Sequence, residues 1–373
     1  MFLARKWAAG LCVLGMCGAC AFGQAAYTNV ITGNTTEDWG LDSNWVPTGI
    51  PGFFLTNLTE GVGDSNDIAR VEFEAGGNVT RTPQIDLQGT GYVLSALQIT
   101  EGGTGNADGN FISSAGAASL TLQRIDYTSG GRQIDFLNEI TIRDWDDGNP
   151  FVVDVDGGNV LDFGGPFQGS DGLVVNGNPT LYFRNFQTTF GTGISNGLII
   201  NAGSGTKNFW IDATAGDVNL SIPNLVVGDF AGSSGNVNID FGRSAGTNMV
   251  SVNISNVVLG ETVDRLFLGG GSDPDGTETT TVNVFGDIEF APTNINNLIK
   301  IDSVYDGVVN FYGNIVQNED VGNSNLVVFQ GNGTARLFAD MIHTNGSLRT
   351  LETRIDGGRG LTVVVDAESR LGA

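Results

Sequence analysis

Three acidic clusters are the stretches of this chain whose residue types and spacing suit chemistry. They read Asp144-Trp-Asp146-Asp147, Asp154-Val-Asp156 and Asp273-Pro-Asp275-Gly-Thr-Glu278, with Arg143 and Arg132 near the first. Carboxylates on neighbouring turns of a repeating fold serve as paired acid and base in glycoside cleavage, or as hard oxygen ligands for Ca²⁺. Asp144, Asp146, Asp147, Asp273, Asp275 and Glu278 are therefore the candidate ligands of a structural Ca²⁺, although neither set follows EF-hand spacing. Acids of this kind are equally common in solvated turns, so no residue is assigned to catalysis or to a cofactor. His343 is the only histidine, which leaves serine-triad and His-based zinc chemistry without their base or ligands. No nucleophile elbow, phosphate-binding loop or dinucleotide fingerprint stands in a strand–turn–helix context.

The elements that must position these acids repeat. A glycine opens a strand-like segment at Gly216, Gly246, Gly276, Gly307, Gly333 and Gly360, in steps of 30, 30, 31, 26 and 27 residues. A short apolar segment precedes each, such as Phe209-Trp-Ile211, Leu266-Phe-Leu268 and Leu326-Val-Val-Phe329. Two strands with Gly-rich turns in a near-constant period are a solenoid signature. The expected fold is all-β, a right-handed parallel β-helix with coils of 26–31 residues. A β-sandwich or jelly roll is the alternative, and a propeller, with blades of about 40–50 residues, fits less well. In a β-helix, equivalent side chains stack from coil to coil, so aliphatic and aromatic columns fill the core and Asn columns pair their amides.

Gly (56 residues), Asn, Asp, Thr and Val dominate, and Lys207 and Lys300 are the only lysines after residue 25. Long amphipathic helical windows are missing. Residues 1–25 read as a signal peptide, with Arg5 and Lys6 before the short apolar run Trp7 to Ala21. The apolar run is shorter than the roughly 20 residues of a membrane span, so no span is expected in the mature chain. The three cysteines, Cys12, Cys17 and Cys20, all fall in this leader, so the mature chain has no disulfide or Cys-based metal site. Its 15 Lys+Arg against 41 Asp+Glu give a formal charge of −26. Such a balance disfavours nucleic acid and anionic membrane as partners, because both need basic patches.

Residues 26–75 read as an N-terminal cap, carrying Trp39 and Trp45 among prolines and glycines. A solenoid end exposes strand edges and core and must be covered. A sugar-stacking platform is the functional alternative for the two tryptophans. Residues 76–373 read as solenoid repeats. Phe136-Leu-Asn138, Phe163-Gly-Gly165, Phe183-Arg-Asn185, Phe285-Gly-Asp287 and Tyr312-Gly-Asn314 look like one recurrent corner, with Gly or Asn supplying positive φ. Leu361-Thr-Val-Val-Val365 reads as a core strand with no cap after it, so truncation of a longer solenoid is favoured over a short closing turn.

The order Trp39, Asn44-Trp45, Pro51-Gly52, Asp64 and a strand, followed by Gly-rich strand repeats, resembles exported bacterial proteins with autotransporter-associated β-strand repeats. Asp171 to Phe183, continuing through Thr189-Phe-Gly-Thr192 to Gly197-Leu-Ile-Ile-Asn-Ala-Gly203, is similar to one unit of that family. The resemblance covers residues 27–75 and 171–203 and is looser elsewhere. It implies a passenger-like parallel β-helix without catalysis. The family's membrane β-barrel does not follow here, so self-translocation is not carried over. The expectation is a non-catalytic exported β-solenoid at the cell surface or outside the cell, structural or adhesive, with an extracellular glycan or surface protein as partner. A carbohydrate-active β-helix, hydrolase or lyase, is the alternative. A face of clustered carboxylates, Arg and aromatics would favour the enzyme, and a face of Thr, Asn and Val the scaffold.

Overall fold

Alternating apolar and polar residues give a strand one buried and one open face. Gln133–Phe136 buries Ile134 and Phe136 and opens Gln133 and Asp135, and Thr280–Val284 buries Val282 and Val284 in the same way. The computed structural model describes residues 26–32, 35–46, 67–75, 83–103, 108–128, 133–142, 150–156, 158–169, 172–177, 179–187, 197–202, 206–211, 217–228, 236–241, 249–260, 265–270, 280–290, 296–302, 307–317, 326–343, 352–356 and 361–366. The leader, Arg132, Arg143 and the Ca²⁺ candidates Asp144, Asp146, Asp147, Asp273, Asp275 and Glu278 lie outside them.

The strands stack into a β-solenoid. Among the described residues, one sheet holds 13 strands, starting with Ala26–Thr32 and Ile68–Ala75 and ending with Thr362–Val365. A second holds 15 and runs from Thr36–Asp38 to Glu352–Asp356, with Gly91–Val93, Ser119–Leu122 and Glu139–Ile142 as a branch on a third side. Further along, Ile288–Phe290, Ile315–Gln317 and Met341–His343 form a separate third sheet. Every ladder among the described residues is parallel; the one antiparallel contact is an isolated bridge between Thr28 and Val46. Sandwiches and jelly rolls are built from antiparallel strands, so that alternative is set aside.

From Ile68 onward, in-register partners on the first sheet lie 22 to 32 residues apart. The shortest step, Val152 to Val174, has a local cause. In that coil a single strand, Val160–Gln168, serves two sides. It pairs with Gln133–Phe136 and then with Glu139–Ile142, and its register against the next coil shifts between Phe163 and Pro166.

Inward columns form the core. Ala69, Leu97, Ile125, Val153, Val175, Ile200 and Val227 occupy successive rungs of the first sheet, all buried. On the second sheet Phe111, Phe136, Phe163 and Phe183 stack with nearly parallel rings, their centroids 4.7, 5.2 and 4.9 Å apart. These separations match the spacing between parallel strands, about 4.8 Å, because one ring is set per rung. Trp39 and Trp45 pack edge to face at 4.8 Å, and Trp39 also meets Tyr92 and Phe111. The Trp45 indole N–H donates to the Trp39 carbonyl at 3.0 Å. Both tryptophans are buried, so they pack into the first coils and offer no open ring face to a sugar.

The supposed single corner proves to be two. Phe136, Phe163 and Phe183 point inward and are fully buried. Phe285, Tyr312 and Phe338 sit one residue past the last inward position, point outward, and stack on the surface at 5.0 and 4.9 Å. At this second corner the Asp287 carboxylate accepts the Asn314 N–H at 2.6 Å, and the Asn314 side-chain oxygen accepts the Asp340 N–H at 3.1 Å. Each coil thus caps the next. The glycines there are also required for a different reason than positive φ. Gly286 and Gly313 have ordinary φ, but a Cβ on Gly313 would lie 2.2 Å from the Gly286 carbonyl oxygen. Gly333 does adopt the left-handed conformation, at φ +99°.

Candidate functional site

The outward face of the second sheet carries the densest chemistry among the described residues. Gln84, Asn110, Asp135, Asp162, Tyr182 and Trp210 occupy one column on successive rungs. The strands position them by parity, because each lies between two inward apolar residues or beside one. Arg184, two residues beyond Tyr182, reaches back one rung to Asp162. Its Nε donates to Oδ1 at 2.8 Å and Oδ2 at 3.0 Å, and its Nη2 donates to Oδ2 at 2.5 Å. The Asp162 side chain is only 7 % exposed, so this fork supplies the charge partner that water does not. The guanidinium also lies 5.6 Å from the centre of the Tyr182 ring, and Tyr182 meets Trp210 edge to face at 4.1 Å.

Asp135 is the next acid in the column. It accepts a hydrogen bond from Gln133 Nε2 at 2.7 Å. Burial pushes its carboxyl above the usual value of 3.8; the Gln133 bond opposes this, while the charges of Asp162 and Asp108 add to it. For an acid held above its ordinary value the sign is clear. As pH rises past 3.8 the unfolded chain releases this proton before the folded one, so folding stability falls through that window and stays lower above it. Asp135→Asn is therefore expected to raise the thermal midpoint modestly at pH 7, with the gain vanishing below about pH 3.8. Thermal scans of both proteins across pH check this; a lower midpoint for the variant at pH 7 contradicts it.

A second polar column lies on the first sheet: Arg70, Gln98, Asp126, Asp154, Asn176 and Asn201. Arg70 Nε donates to Gln98 at 2.8 Å, Arg124 bonds Asp126, and Arg124 Nη2 donates to Asp154 at 2.8 Å. Burial raises the Asp126 carboxyl, with Arg124 opposing and Asp154 reinforcing. Further along, the same sheet carries an amide ladder. Asn283 donates to Asn253 at 2.9 Å and Asn310 to Asn283 at 2.8 Å. The two signals expected to discriminate enzyme from scaffold are therefore both present, on different sheets and at different heights.

Of the acids singled out from sequence, Asp154 joins the Arg124 pair, whereas Asp156 is an exposed residue after the strand Phe151–Val155. His343 ends its strand, opposite Gln317. Among the described residues no group of three or more His, Cys, Asp or Glu is placed to hold a metal ion. Asp126, Asp135, Asp162, Tyr182, Arg184 and Trp210 were missed by sequence reasoning. A signal existed: Gln133-Ile-Asp135-Phe, Val160-Leu-Asp162-Phe and Thr180-Leu-Tyr182-Phe share one frame, an aliphatic second position and a Phe fourth with a polar or aromatic outward residue between them. Comparison with family models, curated proteins and solved structures finds no match for this chain.

Proposed function

We propose that this chain is a non-catalytic, exported β-solenoid acting as a cell-surface or extracellular structural and adhesion element. One observation carries the reading: Asp162, Asp126 and Asp154, carboxylates of the two outward columns, are each engaged by an arginine. Asp162 is held by the Arg184 fork, and Asp126 and Asp154 share Arg124. A general acid or base must exchange a proton with the substrate, and a carboxylate that already takes three guanidinium bonds is committed to its arginine. The amide ladder and the outward aromatic stack likewise bind coil to coil. The partner best suited to such a surface is an extracellular glycan, since Tyr182, Trp210 and Arg184 offer apolar and hydrogen-bonding contacts without the basic field an anionic polymer needs. The carbohydrate-active reading has its own support in Asp135 and Asp162 on adjacent rungs beside Arg184. Affinity electrophoresis against neutral polysaccharides, with product analysis of the same mixtures, separates the two.

A further inference from the structure

A groove of about 490 Å³ opens on the third side of the solenoid, where the Ser113–Ala117 segment projects beside the branch strands. Its volume falls within the roughly 300–1,000 Å³ of small-molecule clefts. Ser113, Ser119, Leu137, Asn138, Glu139 and Pro166 help to line it. Asn138 is the unusual member. It is 5 % exposed, and neither its Nδ2 nor its Oδ1 has a hydrogen-bond partner. A buried amide left without partners is costly, and native proteins rarely keep one without use. The next coil packs tightly on its main chain: a Cβ on Gly165 would lie 2.2 Å from the Asn138 backbone carbonyl oxygen. Rotation of its side chain into the groove that the residue lines would give the amide ligand partners.

We infer that this groove binds a neutral saccharide unit, recognised by Asn138. An amide offers a donor and an acceptor side by side, which matches the adjacent hydroxyls of a sugar ring. Glu139 adds a further acceptor: Thr141 at 2.9 Å and Gln168 at 2.5 Å both bond its Oε1, which leaves Oε2 for a ligand hydroxyl. Leu137, 57 % exposed, and Pro166 supply the apolar contact that a sugar's C–H face needs. The carboxylate of Glu139 and the acidic chain select against uronic acids and other anions. The groove also adjoins the column described above, since Leu137 lies two residues after Asp135 and a Cβ on Gly164 would touch it at 3.2 Å. One saccharide in the groove would then leave the rest of a glycan free to run along Asp162, Tyr182 and Arg184.

This inference rests on the glycan-adhesion reading, and its test keeps the two apart. Saturation-transfer NMR and calorimetric titration of the full chain would use cellobiose, maltose and lactose, with glucuronate as the anionic comparison. Binding of a neutral disaccharide is expected, at least about tenfold weaker in Asn138→Leu, which removes the hydrogen bonds at constant size. Leu137→Asp, at an exposed position that does not endanger folding, removes the apolar contact and is expected to weaken binding likewise. The thermal midpoint of Asn138→Leu without sugar is expected to hold or rise, because an unsatisfied amide is removed; a fall would show an amide held by the fold or by water and would overturn the assignment. Undiminished disaccharide binding in both variants, or polysaccharide retention without disaccharide binding, overturns the groove while leaving adhesion standing. No retention of any glycan by the unaltered chain overturns both.

Discussion

Phe163→Ala is expected to destabilise the solenoid by about 3–5 kcal/mol. Phe163 is fully buried and lies within 5.2 Å of Phe136, 4.9 Å of Phe183 and 5.0 Å of Phe167, measured between ring centroids. Truncation removes apolar surface from the core and also opens a void. That void cannot close, because the rungs above and below are held by their own ladders to Gln133–Phe136 and Thr180–Phe186. In a solenoid each coil is stabilised mainly by its neighbours, so the loss is felt in three rungs at once. The outward stack supplies the control. Phe285→Ala removes a ring that is 50 % exposed and paired with Tyr312, for which about 0.5–1.5 kcal/mol is expected. Urea unfolding of the two variants checks the contrast; equal losses would contradict the inward and outward assignment.

Gly177→Val is expected to be similarly severe, at about 2–5 kcal/mol. Two costs add at this position. Its φ of +80° is in the left-handed region, where a β-branched residue is strongly disfavoured. A Cβ would also lie 2.0 Å from the Val155 carbonyl oxygen, an atom of the preceding rung that has no flexible side chain to move. Gly177 pairs in register with Val155 on one side and Ala202 on the other, so the displacement is passed to both neighbours. Gly158 is the matched control. It has ordinary φ and nothing within 4 Å of its Cβ position, so Gly158→Ala should change stability by less than about 0.5 kcal/mol. A tolerant Gly177→Val would place this glycine among sequence rhythm without structural cause.

The architecture was legible because a stacked coil repeats its inward residues. The Gly-opened period and the apolar pairs before it led to parallel stacking, and Asn253, Asn283 and Asn310 do pair their amides along the axis. The corners were misjudged because aromatic–Gly–Asx looks alike in any strand. Parity distinguishes them: Ile134 and Phe136 share the inward phase, whereas Val282 and Val284 leave Phe285 outward. Glycine had two uses that composition cannot separate, the turn at Gly333 and the close approach at Gly313. The polar column was hidden for a related reason. Asp135, Asp162 and Tyr182 are 20 to 27 residues apart in sequence and become neighbours only through register. Adjacency in sequence is a poorer guide: the Asp154 carboxylate pairs with Arg124, whereas at Asp156 it is the backbone carbonyl that accepts, from Asn159.

Register also explains how the face proposed to bind glycans is assembled. Arg184 reaches Asp162 because Phe163 and Phe183 are paired, and Tyr182 then lies directly against Trp210. A slip of one residue would turn every one of these side chains into the core. The measurement that bears most directly on the proposed role is product analysis of the full chain incubated with a panel of neutral and acidic polysaccharides, alongside its retention on them. Retention on a neutral polysaccharide with no new reducing ends and no unsaturated products is the expected result. Release of oligosaccharides that is abolished by Asp135→Asn or Asp162→Asn would contradict it and make the column a catalytic site.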